Sequence, residues 1–283
     1  MKKHILVALS LLLILTSCTT LNHKDSYKAA IAWRNDDKSI KYQRLVKYFE
    51  DEGFEVTLLS KVTTDDIAYV DGEISDDYLN FDFSLSDEAA SILKTTDSIN
   101  IEENLDDYDI IVFSGGEDIS PTLYRDDYEP SFDYMYNAER DSSDYLLMRY
   151  VIAHDIPIFG ICRGMQMLAV ASGLNLIEDI PTIAPELEGV HRAANGDYSF
   201  HSVTTKTGII REVASAHHQE IDYEEGHNII ATENTGSVVE AIERTDKKLI
   251  VGVQYHPEYY ADHEDMLGAK SAYALLENIK KEL

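Results

Sequence analysis

Two short apolar runs, each ending at a turn that contains glycine, constrain the fold of this chain most strongly. Residues 109–113 read Asp-Ile-Ile-Val-Phe and lead into Ser114-Gly115-Gly116, and residues 156–161 lead directly into Cys162. Apolar runs of this length, bounded by glycine, are typical of parallel strands that are buried on both faces. Because parallel strands need crossover connections, the sequence predicts a sheet with helices packed on both sides.

The remaining pattern alternates between strands and helices. The sequence predicts strands at 28–33, 55–59, 228–232, 238–242 and 249–253, and helices at 38–52, 139–153, 163–172 and 266–281. We therefore predict an α/β fold of three layers, with a mostly parallel central sheet flanked by helices and a small mixed β addition late in the chain. The acidic stretch 61–107 is interpreted as an insertion with a helix near 88–93, and not as a separate domain.

The first 26 residues have the features of an export signal followed by a tether. Lys2 and Lys3 precede an apolar run that is too short to span a bilayer, and the run ends in Leu-Thr-Ser before Cys18. This ending matches the bacterial lipoprotein signal, in which the cysteine is acylated and becomes the new N-terminus. We predict a signal peptide over 1–17, a polar tether over 18–26 and one folded domain over 27–283. The protein is then an exported, membrane-anchored lipoprotein of the cell envelope; an ordinary signal peptide with an incidental cysteine is the alternative.

Charge and cysteine content narrow the classes of function. The chain has 24 Lys and Arg against 52 Asp and Glu, a formal net charge of -28. Such a surface repels phosphate backbones, so we predict no nucleic-acid partner. Of the two cysteines, acylation of Cys18 uses one, which leaves Cys162 without a disulfide partner in an oxidising compartment. A lone cysteine is ordinarily a buried, inert thiol. The residues around Cys162 must therefore show whether this thiol is reactive.

Cys162 lies between a predicted strand and a predicted helix, at the centre of Gly160-Ile161-Cys162-Arg163-Gly164. Glycines two residues away on either side allow the sharp turn of a nucleophile elbow, which exposes the side chain above the sheet edge. The helix N-terminus favours the thiolate, and its backbone N–H groups face a developing oxyanion. We therefore predict that Cys162 is a nucleophile.

A cysteine nucleophile needs a base and a group that orients the base. The predicted strand at 249–253 continues into Gln254-Tyr255-His256-Pro257-Glu258, so His256 reaches the carboxyl edge of the sheet. Ligands of open α/β sheets bind at that edge. Pro257 stiffens the turn and lets Glu258 approach the imidazole. We predict His256 as general base and acid, and Glu258 as its orienting group.

The two motifs resemble those of class I glutamine amidotransferases, which have a flavodoxin-like fold. They read Gly-Ile-Cys-Arg-Gly-Met-Gln at 160–166 and Gly-Val-Gln-Tyr-His-Pro-Glu at 252–258. The nearest resemblance is to the free-standing γ-glutamyl hydrolases of the peptidase C26 group, typified by γ-glutamyl-γ-aminobutyrate hydrolase. The segments 114–121, 140–141 and 215–219 are also similar to that group, and all the blocks occur in the expected order.

The resemblance implies a cysteine-dependent hydrolase that cleaves γ-glutamyl amide bonds of small molecules or peptides through a γ-glutamyl thioester, without a cofactor. It implies that the backbone N–H groups of Gly116 and Arg163 form the oxyanion hole. It also implies that Gln166, Ser215 and His217 hold the glutamyl amino and carboxylate groups, with a structural role for these three left open. The pair His217-His218 could suggest a metal site, but no third ligand stands at a usual spacing, so we predict none.

Two other functions remain open. One is a glutaminase that supplies ammonia to a partner, which export disfavours because it separates the protein from cytoplasmic ATP. The other is a catalytically inactive surface binding lipoprotein, which the filled catalytic positions disfavour. The chain departs from the resemblance in its first third, in the length of 61–107, and at His201-Ser202, where the group generally has His-Pro. These regions flank the leaving group, so the amine that is released is left open.

Overall fold

The computed structural model describes residues 26–131 and 134–283. The predicted signal peptide, most of the tether and the predicted lipidation site Cys18 lie outside these residues. Within the described ranges, every helix is too short or too polar to cross a membrane.

The strands and helices alternate through the first two thirds of the chain, and strands dominate the last third. The strands are β1 (Tyr27–Ile31), β2 (Phe54–Leu58), β3 (Tyr69–Val70), β4 (Glu73–Ile74), β5 (Ile110–Phe113), β6 (Ile158–Ile161), β7 (Asn175–Ile177), β8 (Ser199–Thr205), β9 (Ile210–Ser215), β10 (Glu220–Asp222), β11 (Ile229–Thr235), β12 (Val238–Arg244) and β13 (Ile250–Val253). The helices are α1 (Ile40–Glu50), α2 (Asp87–Thr95), α3 (Ala138–Ala153), α4 (Arg163–Ala171), α5 (Ile180–Ile183) and α6 (Ala269–Glu282).

Nine of these strands form one sheet in the order β2-β1-β5-β6-β13-β12-β11-β8-β9. The first five strands in this order, β2-β1-β5-β6-β13, pair in parallel. The remaining pairs of the sheet are antiparallel. The predicted α/β class with a large central sheet flanked by helices is therefore confirmed. The late β addition continues the same sheet, while β7 pairs with β10 and β3 with β4 in two small antiparallel sheets.

Strand β5 shows why the sheet requires helices on both faces. Its side chains are fully buried, and because successive residues point to opposite faces, they contribute to two separate cores. Ile110 and Val112 pack with apolar residues of α1 and α6, whereas Ile111 and Phe113 pack with α2, α3 and α4. Full burial of each side chain is worth roughly 1.5–3 kcal/mol, so a polar substitution on either face would destabilise one of the cores.

The acidic stretch 61–107 packs into the main core. Helix α2 confirms the helix predicted near 88–93, and Ser86 caps it by accepting a hydrogen bond from the N–H of Ala89 at 3.2 Å. The apolar side chains of Leu85 and Leu93 are fully buried in the core that also contains α3. Arg149 of α3 donates hydrogen bonds to the carbonyl oxygens of Leu93 and Thr96, which fixes the end of α2.

Candidate active site

The hydrogen-bond register of β6 and β13 brings the two predicted catalytic segments together. The strands are parallel neighbours, and Ile161 pairs with Val253 at their carboxyl ends. The N–H of Cys162 donates to the carbonyl oxygen of Val253 at 2.7 Å, and the N–H of His256 donates to that of Ala214 at 2.8 Å. Cys162 and His256 therefore emerge side by side at the edge where parallel sheets place their ligands.

Cys162 has a strained backbone with φ 50° and ψ -107°, immediately before α4. Such a conformation costs a residue with a side chain roughly 1–3 kcal/mol and is typical of functional turns. The flanking glycines allow the close packing: a Cβ at Gly160 would lie 2.7 Å from the backbone of Gly164, and one at Gly164 would lie 2.1 Å from the carbonyl oxygen of Phe113. The strand, turn and helix thus have the geometry expected of a nucleophile elbow.

His256 and Glu258 form a buried pair beside the thiol. Nδ1 of His256 lies 2.7 Å from Oε1 of Glu258, and a Cβ at Gly115 would contact both the imidazole and Cys162. Burial disfavours the charged imidazole, but the charge of Glu258, with contributions from Tyr198 and a hydrogen bond to Cys162, raises the pKa of His256 well above its usual value. The imidazolium is consequently the favoured form when the thiolate is present.

Gln254 is a neighbour of the thiol that the sequence interpretation did not single out. Its side chain is fully buried, and Nε2 donates to Sγ of Cys162 at 3.6 Å. An amide donor stabilises negative charge on sulfur. The signal was present in the sequence, because Gln254 belongs to the second motif and directly follows β13.

A buried arginine holds the loop that carries Gly116. Nη2 of Arg140 donates to the carbonyl oxygens of Ser114 and Gly115 at 2.9 and 3.0 Å, and Nη1 donates to Glu117 at 3.1 Å. A Cβ at Gly116 would lie 1.9 Å from Nη1 of Arg140, so a side chain there would displace the guanidinium. The backbone of Gly116 lines the same cavity as Cys162, and its oxyanion-hole role stays a prediction.

The side chain of Arg163 points away from the cavity and into the protein. It is almost completely buried and pairs with the carboxylates of Asp141 and Asp144. Burial disfavours the charged guanidinium, but these two carboxylates raise the pKa of Arg163 above its usual value. The side chain therefore anchors α4 to α3, and only the backbone N–H of Arg163 is available for the predicted oxyanion hole.

The three predicted substrate-binding residues are placed differently. Gln166 lines the cavity and donates weakly to the carbonyl oxygen of Gln219 at 3.5 Å and to Oε1 of Gln254 at 3.4 Å. His217 also borders the cavity, but its Nδ1–H donates to the carbonyl oxygen of Gln219 at 2.8 Å. Ser215 is fully buried, and its hydroxyl donates to the carbonyl oxygen of His191 at 2.8 Å. The structure thus brings Gln166 to Cys162 and does not bring the Ser215 hydroxyl there.

A cavity of about 690 Å³ contains Cys162 and His256 on its wall, together with charged side chains of both signs. The cations are Arg34, Lys41, Arg140 and Arg192, and the carboxylates are Asp36, Glu117, Asp118, Asp179, Asp197 and Glu258. Nε2 of His218 lies 3.1 Å from Asp118, and this carboxylate raises the pKa of His218 although burial lowers it. Arg192 is exposed, and no carboxylate of residues 26–131 or 134–283 lies within ion-pair distance of it.

A second group of polar side chains lies behind one wall of this cavity. It consists of His191, His201, His217 and Glu240, whose potential ligand atoms all lie within 4.8 Å of one another. The prediction of no metal site rested on the lack of a third ligand at a usual spacing. The structure brings further possible ligands to His217 from segments far apart in the sequence, so spacing in the sequence could not reveal this group.

Comparison with known proteins places these features in a family context. Residues 86–258 match the family model described as Peptidase C26. A candidate glutamine amidotransferase of Mycobacterium tuberculosis is 32% identical over 182 residues, which cover 60% of this chain and 58% of that protein. The γ-glutamyl-γ-aminobutyrate hydrolase of Escherichia coli O157:H7 is 28% identical over 175 residues, covering 56% of this chain and 67% of that protein. A glutamine amidotransferase structure from Thermotoga maritima superposes with a TM-score of 0.46 at 15% identity, covering 92% of each chain. The chain therefore spans little more than half of the mycobacterial relative.

Proposed function

The chain belongs to the Peptidase C26 family, and from that membership we propose that it is a hydrolase of γ-glutamyl amide bonds that uses Cys162 as nucleophile. The observation that carries the proposal is the position of Cys162, on a strained turn beside the buried pair of His256 and Glu258. A merely structural cysteine needs neither the strained backbone nor a base within hydrogen-bonding distance.

The first chemical step forms a thioester and releases an amine. The Cys162 thiolate attacks the γ-carbonyl carbon, and the backbone N–H groups of Gly116 and Arg163 stabilise the oxyanion. The C–N bond then breaks, and the amine leaves with the proton that His256 carried. The raised pKa of His256 suits this step, because the imidazole holds that proton until the leaving nitrogen needs it.

The second step hydrolyses the thioester. The imidazole of His256, now neutral, takes a proton from water, and the resulting hydroxide attacks the thioester carbonyl. The C–S bond breaks, glutamate is released, and the thiolate and imidazolium are restored. Glu258 keeps Nδ1 of His256 protonated and oriented throughout both steps, since the carboxylate accepts its hydrogen bond at 2.7 Å.

The charges of the cavity support an amino-acid substrate. The α-ammonium and α-carboxylate of a γ-glutamyl group need an anion and a cation at one end of the site. Arg192 offers an exposed guanidinium without an ion-pair partner in the described part of the chain, and Glu117 and Asp179 offer carboxylates. We assign Arg192 to the α-carboxylate, because a guanidinium binds carboxylates in a bidentate manner.

A panel of γ-glutamyl compounds tests the proposal. The full chain is expected to release glutamate from at least one γ-glutamyl amine, peptide or amide, and Cys162→Ala is expected to abolish the release. Cys162→Ser is the matched control for the volume of the side chain, since it keeps a hydroxyl at the same position. Turnover of the whole panel no faster than that of Cys162→Ala would rule the proposal out.

The same panel separates the two other functions. The mycobacterial relative carries the name of a glutamine amidotransferase, and a glutaminase would hydrolyse glutamine, fully only when a partner protein is added. An inactive binding protein would bind a γ-glutamyl compound equally well with cysteine or alanine at position 162 and release no glutamate. Our proposal predicts turnover of γ-glutamyl amines by the chain alone.

A further inference from the structure

Three histidines and one glutamate converge behind the wall of the catalytic cavity. His201 lies on β8, Glu240 on β12, His217 just after β9, and His191 on the connection before β8. Nδ1 of His191, Nε2 of His201 and Nε2 of His217 lie 3.1, 3.6 and 3.8 Å from Oε1 of Glu240. The four side chains are exposed by 6% or less, so they are removed from bulk solvent.

The facing atoms of this cluster lack hydrogen-bond partners. Both ring nitrogens of His191, Nε2 of His201, Nε2 of His217 and both carboxylate oxygens of Glu240 are buried without a partner of hydrogen-bonding geometry within the described residues. A fully buried carboxylate without a paired cation is strongly disfavoured. Six buried atoms without such partners, gathered around one carboxylate, therefore form surroundings that a bound cation would satisfy.

Hydrogen bonds to the Nδ1 atoms of two histidines fix which ring nitrogen carries the proton. Nδ1 of His217 lies 2.8 Å from the carbonyl oxygen of Gln219, which can only accept, so this nitrogen carries the proton. Nδ1 of His201 lies 3.1 Å from the Thr235 hydroxyl, which itself donates to the carbonyl oxygen of Ser202 and so accepts from His201. Both Nε2 atoms are left as bare lone pairs facing Glu240. Metal-binding histidines are typically oriented by such outer hydrogen bonds.

The separations between the histidine nitrogens and Glu240 fit a tetrahedral ion. Ligand bonds of about 2.0–2.1 Å in a tetrahedron separate neighbouring ligand atoms by about 3.3 Å. The three measured separations from Glu240, 3.1 to 3.8 Å, bracket this value.

We infer that His191, His201, His217 and Glu240 bind one divalent transition-metal ion, Zn²⁺ by the chemistry of three imidazoles and a carboxylate. Four protein ligands leave no open position for substrate, so the ion is structural. It neutralises Glu240 and ties the connection at His191 to strands of the antiparallel part of the sheet.

The ion also supports the catalytic wall. The carbonyl oxygen of Gln219 accepts hydrogen bonds from His217 and from Gln166, and the Gln166 amide reaches Gln254, the donor to Cys162. The Ser215 hydroxyl holds the backbone of His191. Residues 215–219 are thereby fixed between the metal cluster and the cavity.

Metal analysis of the full chain, purified in detergent with its affinity tag removed, tests the inference. We expect about one Zn²⁺ per chain after exposure to a weak chelator, and four-coordinate visible absorption after replacement with Co²⁺. His201→Ala and Glu240→Gln are expected to lower Zn²⁺ affinity at least about 10-fold. Added Zn²⁺ should raise the melting temperature of the chelated wild type and not that of the variants.

Two variants serve as controls. His154→Ala removes an exposed histidine that stacks on Tyr150, and Cys162→Ala removes the catalytic thiol; both should retain the metal. Loss of the metal in Cys162→Ala would overturn the inference by placing the ion at the catalytic thiol, and so would a Zn²⁺ content below about one tenth per chain. If the cluster variants do not fold, the Co²⁺ spectrum of the wild type tests the site. Four-coordinate absorption supports the inference, and six-coordinate absorption overturns it. Because none of these measurements uses turnover, failure of the proposed γ-glutamyl activity leaves the result intact.

Discussion

The imidazole of His256 and the carboxylate of Glu258 are both less than a tenth exposed and meet at 2.7 Å. The two residues are separated in sequence only by Pro257, which begins a 3₁₀ turn after His256. The short turn therefore folds the carboxylate back onto the ring, and the pair is formed by local chain geometry.

Glu258→Gln is expected to alter the pH dependence of stability. The folded pKa of His256 is raised above the unfolded value of about 6.5. Its contribution to stability is therefore fully present below about pH 6.5 and is lost as pH rises through the folded pKa. Melting temperatures of wild type and variant between about pH 6 and 9 should converge as pH rises. A difference that does not change with pH would contradict this assignment. Activity of the variant should fall about 100-fold or more.

Arg140→Lys is expected to slow catalysis without unfolding the protein. A lysine keeps the charge but cannot donate to the Ser114 and Gly115 carbonyl oxygens and to Glu117 at once. We expect kcat to fall roughly 10- to 100-fold, because the Gly116 N–H is displaced from the oxyanion. Complete loss of an oxyanion donor typically lowers kcat about 100- to 1,000-fold. Arg149→Lys is the matched control, because Arg149 also donates to two carbonyl oxygens but lies outside the cavity lining. Equal losses of kcat in both variants would exclude a specific role.

Arg163→Met is expected to destabilise the fold. The change leaves the buried carboxylates of Asp141 and Asp144 without their main counter-ion, which costs about 3–5 kcal/mol of the free energy of unfolding. Lys281→Ala breaks an exposed pair with Glu277 and should cost less than about 1 kcal/mol. Denaturant unfolding of the two variants gives the free energies of unfolding to be compared. A similarly small loss of free energy in both variants would show that the buried pairs contribute little.

Arg192→Ala is expected to weaken substrate binding more than it slows chemistry. Loss of a charged hydrogen bond to the α-carboxylate of the substrate corresponds to about 1.5–3 kcal/mol, or a rise in KM of about 10- to 100-fold with kcat largely unchanged. Lysine at the same position should recover part of the affinity. A fall in kcat at constant KM would assign Arg192 a different role.

Cys18→Ala is expected to release the protein from the membrane. The predicted lipoprotein signal implies acylation of Cys18, so we expect cells fed a labelled fatty acid to incorporate it into the wild-type chain and not into the variant. Fractionation should move the variant from the membrane to the soluble fraction. Cys162→Ala is the control and should remain labelled and membrane-bound.

The parallel half of the fold was predictable because its signals are local. Fully apolar runs such as 110–113 and the glycines around Cys162 specify buried strands and a sharp turn directly. Strands β3, β4, β7, β8, β9 and β10 were missed. Strand β8 reads Ser-Phe-His-Ser-Val-Thr-Thr, with mixed burial, and such a half-exposed strand is defined by its partners more than by its own composition.

The grouping of Cys162, His256 and Glu258 around one cavity was predictable for a similar reason, and the histidine cluster was not. Cys162, His256 and Glu258 lie in two compact motifs whose order and spacing are visible in the sequence. His201 and Glu240 lie on β8 and β12 of the antiparallel part of the sheet, and His191 joins them from the connection before β8, so no local motif links the three. Arg140 lies in a segment that resembles the family, but its role depends on the loop that its guanidinium contacts and could not be inferred from sequence. Arg192 gave no signal beyond a single charged residue.

The order of strands in the sheet separates two tasks that evolution can alter independently. Cys162 and His256 are fixed by the ladder between β6 and β13, whereas Asp179, Arg192 and Tyr198 reach the same cavity from the long connection between β7 and β8. Insertions and substitutions accumulate most easily in such connections. Under the proposed function, remodelling of this connection would change which amine the site accepts, while the residues proposed to break the bond keep the geometry that the sheet gives them.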